Sequence, residues 1–396
     1  MNNKFSSWPF YTDEEIKSVK DVLLSNKVNY WTGNECRQFE KEFAAWSDSK
    51  YAVTLANGTL ALDIAFKALG IGAGDEVIVT SRSYIASITS IINAHATPIF
   101  VDVDLASQNI TPQNIGSAIT NKTKAILCVH LAGWPCEMDE IMSIANANDL
   151  FVIEDCAQAH GAKYKGVSVG SIGHIGCWSF CQDKIMTTGG EGGMVTTNDK
   201  SLWLKMWEYK DHGKSYEAVY EREHPEGFRW LHESFGTNWR MTEMQAAIGR
   251  IQLNRMSEWT QIRNRNAAIL TQVFSKFVGI DGLLRIPELK SDQESVHAYY
   301  KYYIFVKEEA LKDDWDRDRI IAEIISEGVP CIHGSCSEVY LEKAFDNTDF
   351  RPAERLPVAQ ELGKTSMVFL VHPTLSEEEM HKIAEVATSI FKKATA

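Results

Sequence analysis

Lys184 closes the run Trp178-Ser179-Phe180-Cys181-Gln182-Asp183-Lys184, and Gly189-Gly190-Glu191-Gly192-Gly193 follows it. A short apolar strand ending in a hydroxyl, a lone lysine and then a glycine cluster suit an aldehyde cofactor. Such a cofactor needs an amine to condense with, and a hydroxyl and backbone N–H groups to hold its phosphate. A surface lysine ahead of a flexible loop is the plainer alternative. Only the other motifs of the chain overturn it.

Four separated pieces supply that company. Asn57-Gly58-Thr59 enters a helix after the strand Val53 to Leu55, where glycine allows close approach and N–H groups can take a phosphate. Ser83-Tyr84-Ile85-Ala86-Ser87 offers a ring that could stack on a planar group or pack in the core. Glu154-Asp155-Cys156-Ala157-Gln158-Ala159-His160 places an acidic pair at the end of a buried strand, which is costly unless it is used. Asp155 could keep a pyridine nitrogen protonated and Gln158 could reach a ring hydroxyl. A magnesium ligand or a structural network are the competing readings of that piece. Gly236-Thr237-Asn238-Trp239-Arg240-Met241-Thr242 is a polar turn in which Asn238 and Arg240 could contact a phosphate or cap the next helix.

The elements that must position these groups follow from patterning. Between Val53 and about Thr197, apolar runs at 77–79, 99–102, 125–129, 151–153 and 177–180 recur roughly every 20–30 residues, the length of a strand with its crossover helix. Strands apolar on both faces belong in a parallel sheet covered by helices. Asn57 to Leu69 and Ala86 to Ala96 carry helical periodicity. The expectation is an α/β chain with a large, doubly wound, mostly parallel domain that binds its ligand at the carboxyl ends of the strands. Residues 203–235 are rich in aromatics and charges without a clear strand, and Met241 to Trp259 reads as one long helix starting at Thr242. Strand-like runs at 299–306 and 366–371 and helical ones at 318–326 and 376–393 then describe a smaller α+β domain. The boundary is placed at 257/258, giving domains 1–257 and 258–396.

Composition sets the limits. At 396 residues two domains are expected, and 44% apolar with 23% charged residues is ordinary globular composition. A formal charge of −13 argues against a nucleic-acid surface. Eight cysteines without a Cys-x-x-Cys pair read as buried thiols of a reducing compartment, with no zinc site or other metal expected. Met1 to Glu15 lacks a basic-then-apolar signal sequence, and no apolar run approaches the ~20 residues of a spanning helix. A cytoplasmic protein without a membrane partner is therefore expected.

In order and spacing, the Gly-Thr, Glu-Asp, Ser-Phe-x-x-x-Lys, Gly-Glu-Gly-Gly and Asn-x-Arg-Met-Thr elements, after Trp31-Thr32-Gly33, resemble the DegT-type sugar aminotransferases. Those are pyridoxal-phosphate enzymes of the aspartate aminotransferase fold (fold type I), and the resemblance covers nearly the whole chain. It implies Lys184 as the cofactor-bound catalytic lysine, Asp155 on the pyridinium nitrogen and Gln158 near the ring hydroxyl. It further implies Gly58, Thr59 and Ser179 at the phosphate, Tyr84 on the ring, and Asn238 reaching the phosphate of a neighbouring subunit in a homodimer. The amino donor it implies is an amino acid, with glutamate the first choice.

Three departures bear on the sugar. Arg82 stands two places before the stacking ring, where a cation would favour an anionic ligand. Gly334-Ser335-Cys336 replaces the usual aromatic and proline after His333, itself a possible sugar contact. The 210–235 segment, with Arg222, His224, Arg229 and His232, is a lid candidate, Arg229 being the one counted among possible substrate contacts. With the Cys-Gln-Asp-Lys run, these features look like the transaminases that make 8-amino-3,8-dideoxy-manno-octulosonate for lipopolysaccharide. Nucleotide-linked ketohexoses are the alternative substrates. A related dehydratase, which typically carries histidine at the lysine position, and a non-catalytic regulator are the remaining readings.

Overall fold

A computed structural model describes residues 5–289 and 294–395. The strands are β1 Tyr51–Leu55, β2 Glu76–Thr80, β3 Thr97–Val101, β4 Thr123–Val129 and β5 Phe151–Asp155, then a small hairpin of β6 Lys163–Tyr164 and β7 Val167–Ser168. β8 Ile175–Ser179 and β9 Gly193–Thr197 complete the large domain. Seven of these make one sheet in the order β1-β9-β8-β5-β4-β2-β3. Every neighbouring pair is parallel except those involving β9. The runs Ala125-Ile126-Leu127 and Val152-Ile153 are buried on both faces, as a sheet covered by helices requires.

β9 explains how the Lys184 loop is held. It returns antiparallel beside β8, pairing Gly193 with Ser179, while the N–H of Phe180 donates to the carbonyl of Gly192 at 2.8 Å. The loop is thus pinned at both ends. Gly193 also faces Leu55 of β1, so the segment Asn57–Thr59 emerges next to Ser179. Asn57 caps the helix Gly58–Leu69 by accepting from Leu60 N–H at 3.0 Å, and Gly70, with φ of 71°, closes it.

The smaller domain carries β10 Leu284–Arg285, β11 Tyr302–Val306, β12 Cys331–Ile332 and β13 Ser366–Phe369 in the antiparallel order β10-β11-β13-β12. The helices Arg317–Ser326 and Glu377–Ala394 cover it. The helix expected to end at Trp259 runs on as Glu243–Phe274. Its apolar positions pass from one core to the other: Leu253, Met256 and Trp259 pack in the large domain, and Ala267, Leu270 and Phe274 in the small one. Residue 258, the boundary drawn from sequence, lies inside this helix. No helix among the described residues is long and apolar enough to cross a membrane.

Candidate active site

Where the strands end, a cavity of about 780 Å³ opens between the two domains. Gly58, Thr59, Tyr84, Asp155, Gln158, Ser179 and Lys184 all line it. Sequence positions spanning more than a hundred residues converge because β1, β5 and β8 point the same way and end on one edge.

Each group has a defined setting. Lys184 is 17% exposed; its Nζ lies 3.7 Å from Asp183 Oδ1 and 5.1 Å from the centre of the Tyr300 ring. Trp8 Nε1 donates to the Lys184 carbonyl at 2.8 Å, anchoring the backbone beneath the amine. Asp155, at the end of β5, accepts from Ser87 Oγ at 2.8 Å and from Ala157 N–H at 3.1 Å. Burial pushes its carboxyl up, against the opposing pull of these two bonds and of Lys184. A buried carboxylate in that condition gains from a cationic partner. Gln158 Oε1 accepts from Ala132 N–H at 2.8 Å, which leaves the NH₂ end as the free donor toward the cavity.

The residues present fit pyridoxal phosphate. A Cβ on Gly58 would stand 2.5 Å from Ser179 Cβ, so the approach of helix to strand depends on glycine there. The first-turn N–H groups of Gly58 and Thr59 have no helical acceptor, and the hydroxyls of Thr59 and Ser179 are beside them. A phosphate suits that donor set, a carboxyl opposite suits a pyridinium, and a lysine amine suits the aldehyde.

Glu154, the other acid of the pair, is fully committed elsewhere. Its Oε2 takes His130 Nε2 at 3.0 Å and Gly170 N–H at 2.8 Å, and its Oε1 takes the N–H groups of Ile172 and Gly173 at 2.9 and 2.6 Å. His130 Nδ1 accepts from Cys136 N–H at 3.0 Å, so its Nε2 carries the proton. Glu154, His130 and Cys156 cluster closely, but the carboxylate has no lone pair left for magnesium. Glu154 and His130 form a structural network. His160 is packed between Trp178 and Phe180 with no polar partner among the described residues.

Several expected contacts lie elsewhere. Arg82 is fully buried behind the wall, its Nε on Gln108 Oε1 at 2.9 Å and one terminal nitrogen on Ser366 Oγ at 3.2 Å. Strand β13 comes in from the small domain and covers it, which no local pattern announces. His333 is 59% exposed and pairs with Asp318 at 3.2 Å, while its neighbours Gly334, Ser335 and Cys336 do line the cavity. Arg229 is exposed and donates to the Val219 carbonyl. Arg222 pairs with Glu217 and Glu233, and His224 binds the Ala218 carbonyl. Arg222, His224 and Arg229 therefore tie the segment to itself, and none of the three lines this chain's cavity. Asn238 is exposed and off the wall, and Arg240 is held by Asp211 at 2.7 Å. Tyr84 stands at the rim, 70% exposed. Sequence reasoning missed Asp183, Tyr300, Lys301 and Tyr303, all on the wall; the acid adjoining Lys184 was the one available clue.

A lysine, a buried acid and a set of phosphate donors at the strand ends of this fold suit an enzyme of the pyridoxal-phosphate class. The chain belongs to the DegT/DnrJ/EryC1/StrS aminotransferase family, whose model matches residues 9–388. It is 37% identical over 377 residues to GDP-perosamine synthase of Escherichia coli O157:H7, covering 95% of each chain. An aminotransferase structure from Psychrobacter cryohalolentis superposes with a TM-score of 0.97 at 63% identity, over 98% of this chain and 99% of that one. A putative sugar aminotransferase of Streptococcus pneumoniae in its PMP form superposes at 0.86 with 26% identity, over 99% and 100%. The protein is a sugar aminotransferase that works with pyridoxal phosphate.

Proposed function

We propose that Lys184 holds the cofactor covalently and that its amine, once displaced by the donor, carries the proton that leaves the donor's α-carbon. Bound pyridoxal phosphate supplies an electron sink for that deprotonation. Asp155 keeps the ring nitrogen protonated, held in place by Ser87 and Ala157. Gln158 donates its NH₂ to the ring hydroxyl, Tyr84 covers the ring, and Gly58, Thr59 and Ser179 hold the phosphate. Asn238, exposed on its own chain, serves the partner's site in a homodimer. The observation that carries this reading is the convergence of Lys184 and Asp155 on one cavity. Borohydride reduction followed by peptide mapping tests it. The cofactor mass is expected on the peptide containing Lys184, and Lys184→Met should abolish amino transfer. A label on another side chain rejects the assignment.

For the acceptor we infer an oxidised 3-deoxy-manno-octulosonate, aminated at carbon 8 in the cytoplasm for lipopolysaccharide, with glutamate as donor. The Cys181-Gln182-Asp183-Lys184 run supports it, together with a second lysine on the cavity wall. The second reading, a nucleotide-linked ketohexose, is favoured by the similarity to GDP-perosamine synthase. Lysine at position 184, in place of histidine, speaks against a dehydratase. Turnover of a UDP- or GDP-ketohexose with glutamate, without turnover of the oxidised octulosonate, would reject the first choice.

A further inference from the structure

The cavity holds a second amine that the chemistry above leaves idle. Lys301 directly precedes β11 and lines the wall with Tyr300, Tyr303, Ser335 and Ile332. Its Nζ lies 5.0 Å from the centre of the Tyr300 ring. Among the described residues, no carboxylate stands within ion-pairing distance of it, and its amine makes no hydrogen bond.

The acids nearby are already engaged. Asp155 is bonded by Ser87 and Ala157 and is the group proposed above for the ring nitrogen. Asp183 takes the Tyr300 hydroxyl and lies beside Lys184. Glu191 and Glu342 sit exposed at the rim. Burial draws the Lys301 ammonium below the ordinary lysine range; the field of Asp183 opposes this, and Lys184 and Arg263 add to it. A half-buried cation without a counter-ion costs free energy that an anionic ligand recovers. The adjoining wall is ordered to receive one: the Tyr303 hydroxyl accepts from Ser335 N–H at 2.9 Å, and Tyr300 and Ile332 present apolar faces of a kind that suits a sugar ring.

We propose that Lys301 is a specificity residue of the acceptor site, pairing its Nζ with a carboxylate or phosphate of the sugar. This rests on the sugar-aminotransferase reading and deepens it by naming the side chain that meets the acceptor's anionic group. Calorimetric binding to the holoenzyme tests it with three probes: 3-deoxy-manno-octulosonate, its uncharged methyl ester, and UDP. The donor half-reaction with glutamate is followed separately by absorbance. Lys301→Met should weaken one anionic probe on the order of tenfold or more, leave the ester unchanged and spare the donor half-reaction. Lys301→Arg, which keeps the charge, should restore most of the affinity. Loss confined to the octulosonate identifies a sugar carboxylate. Loss confined to UDP identifies a phosphate, keeps Lys301 in its role and removes the octulosonate reading. The proposal is overturned if Lys301→Met binds both anions as the wild type does, if the donor half-reaction alone suffers, or if the wild type binds neither anion.

Discussion

Gly58 and Ser179 show how much of this site depends on single atoms. The helix Gly58–Leu69 can start against the end of β8 only because position 58 lacks a Cβ, which would meet the Ser179 side chain at 2.5 Å. Gly58→Ala pushes the helix N-terminus away from the phosphate cradle without touching the lysine. Hydrogen bonds to charged groups are worth about 1.5–3 kcal/mol, so cofactor affinity should fall by roughly tenfold or more. Titrating apoenzyme with pyridoxal phosphate measures this, and an unchanged Kd would remove Gly58 from the cradle. At this scale the sequence singled out Lys184 before a glycine cluster and Asp155 closing a strand, and both line the one cavity. Lys301 and Tyr300 were not readable, because a lysine and a tyrosine at a strand start are ordinary until the other domain is placed opposite them.

Among the elements, the helix Glu35–Trp46 has a nominal cap, Asn34, whose side chain makes no capping bond. Glu243 does the work from the first turn of the long helix, its carboxylate accepting the N–H groups of Glu35 and Cys36. One buried acid therefore joins two helices. Glu243→Ala leaves those donors unsatisfied and should cost about 2 kcal/mol. The check is a lower urea midpoint with an unchanged slope, whereas an unaltered midpoint would mean that water replaces the carboxylate. The strands β2, β3, β4, β5 and β8 were legible as apolar runs, and the helix starts at Asn57 and Thr242 by their caps. The far end of the long helix was not, since its apolar stripe serves two cores in succession.

For the whole molecule, buried histidines set the response to acid. Burial pushes His160 and His297 down to about 3 and His372 to about 4, from 6.5 in an open chain. The unfolded chain binds protons below 6.5 that the folded chain refuses. Stability is therefore full above that pH and is lost as pH falls toward 3–4, by about 1.4 kcal/mol per unit for each histidine. Tm should drop between pH 7 and 5, and His160→Phe should flatten that slope; an unchanged slope would show that His160 does not titrate on unfolding. Assembly is expected to matter as well. If Asn238 completes a partner's site, mixing inactive Lys184→Met with Asn238→Ala should give more activity than the two apart, measured after subunit exchange. No gain would place Asn238 outside the shared site.

Sequence alone marked β1 to β5 and β8 and singled out Lys184 and Asp155, because strand periodicity and a rare chemical grouping are local properties of the chain. Tertiary structure decided which cations face the cavity: it buried Arg82 under β13, left His333 and Arg229 outside, and brought Lys301 in. The physical reason is that a charged side chain's role depends on desolvation and on its neighbours across a domain interface, which are set by packing between segments far apart in sequence.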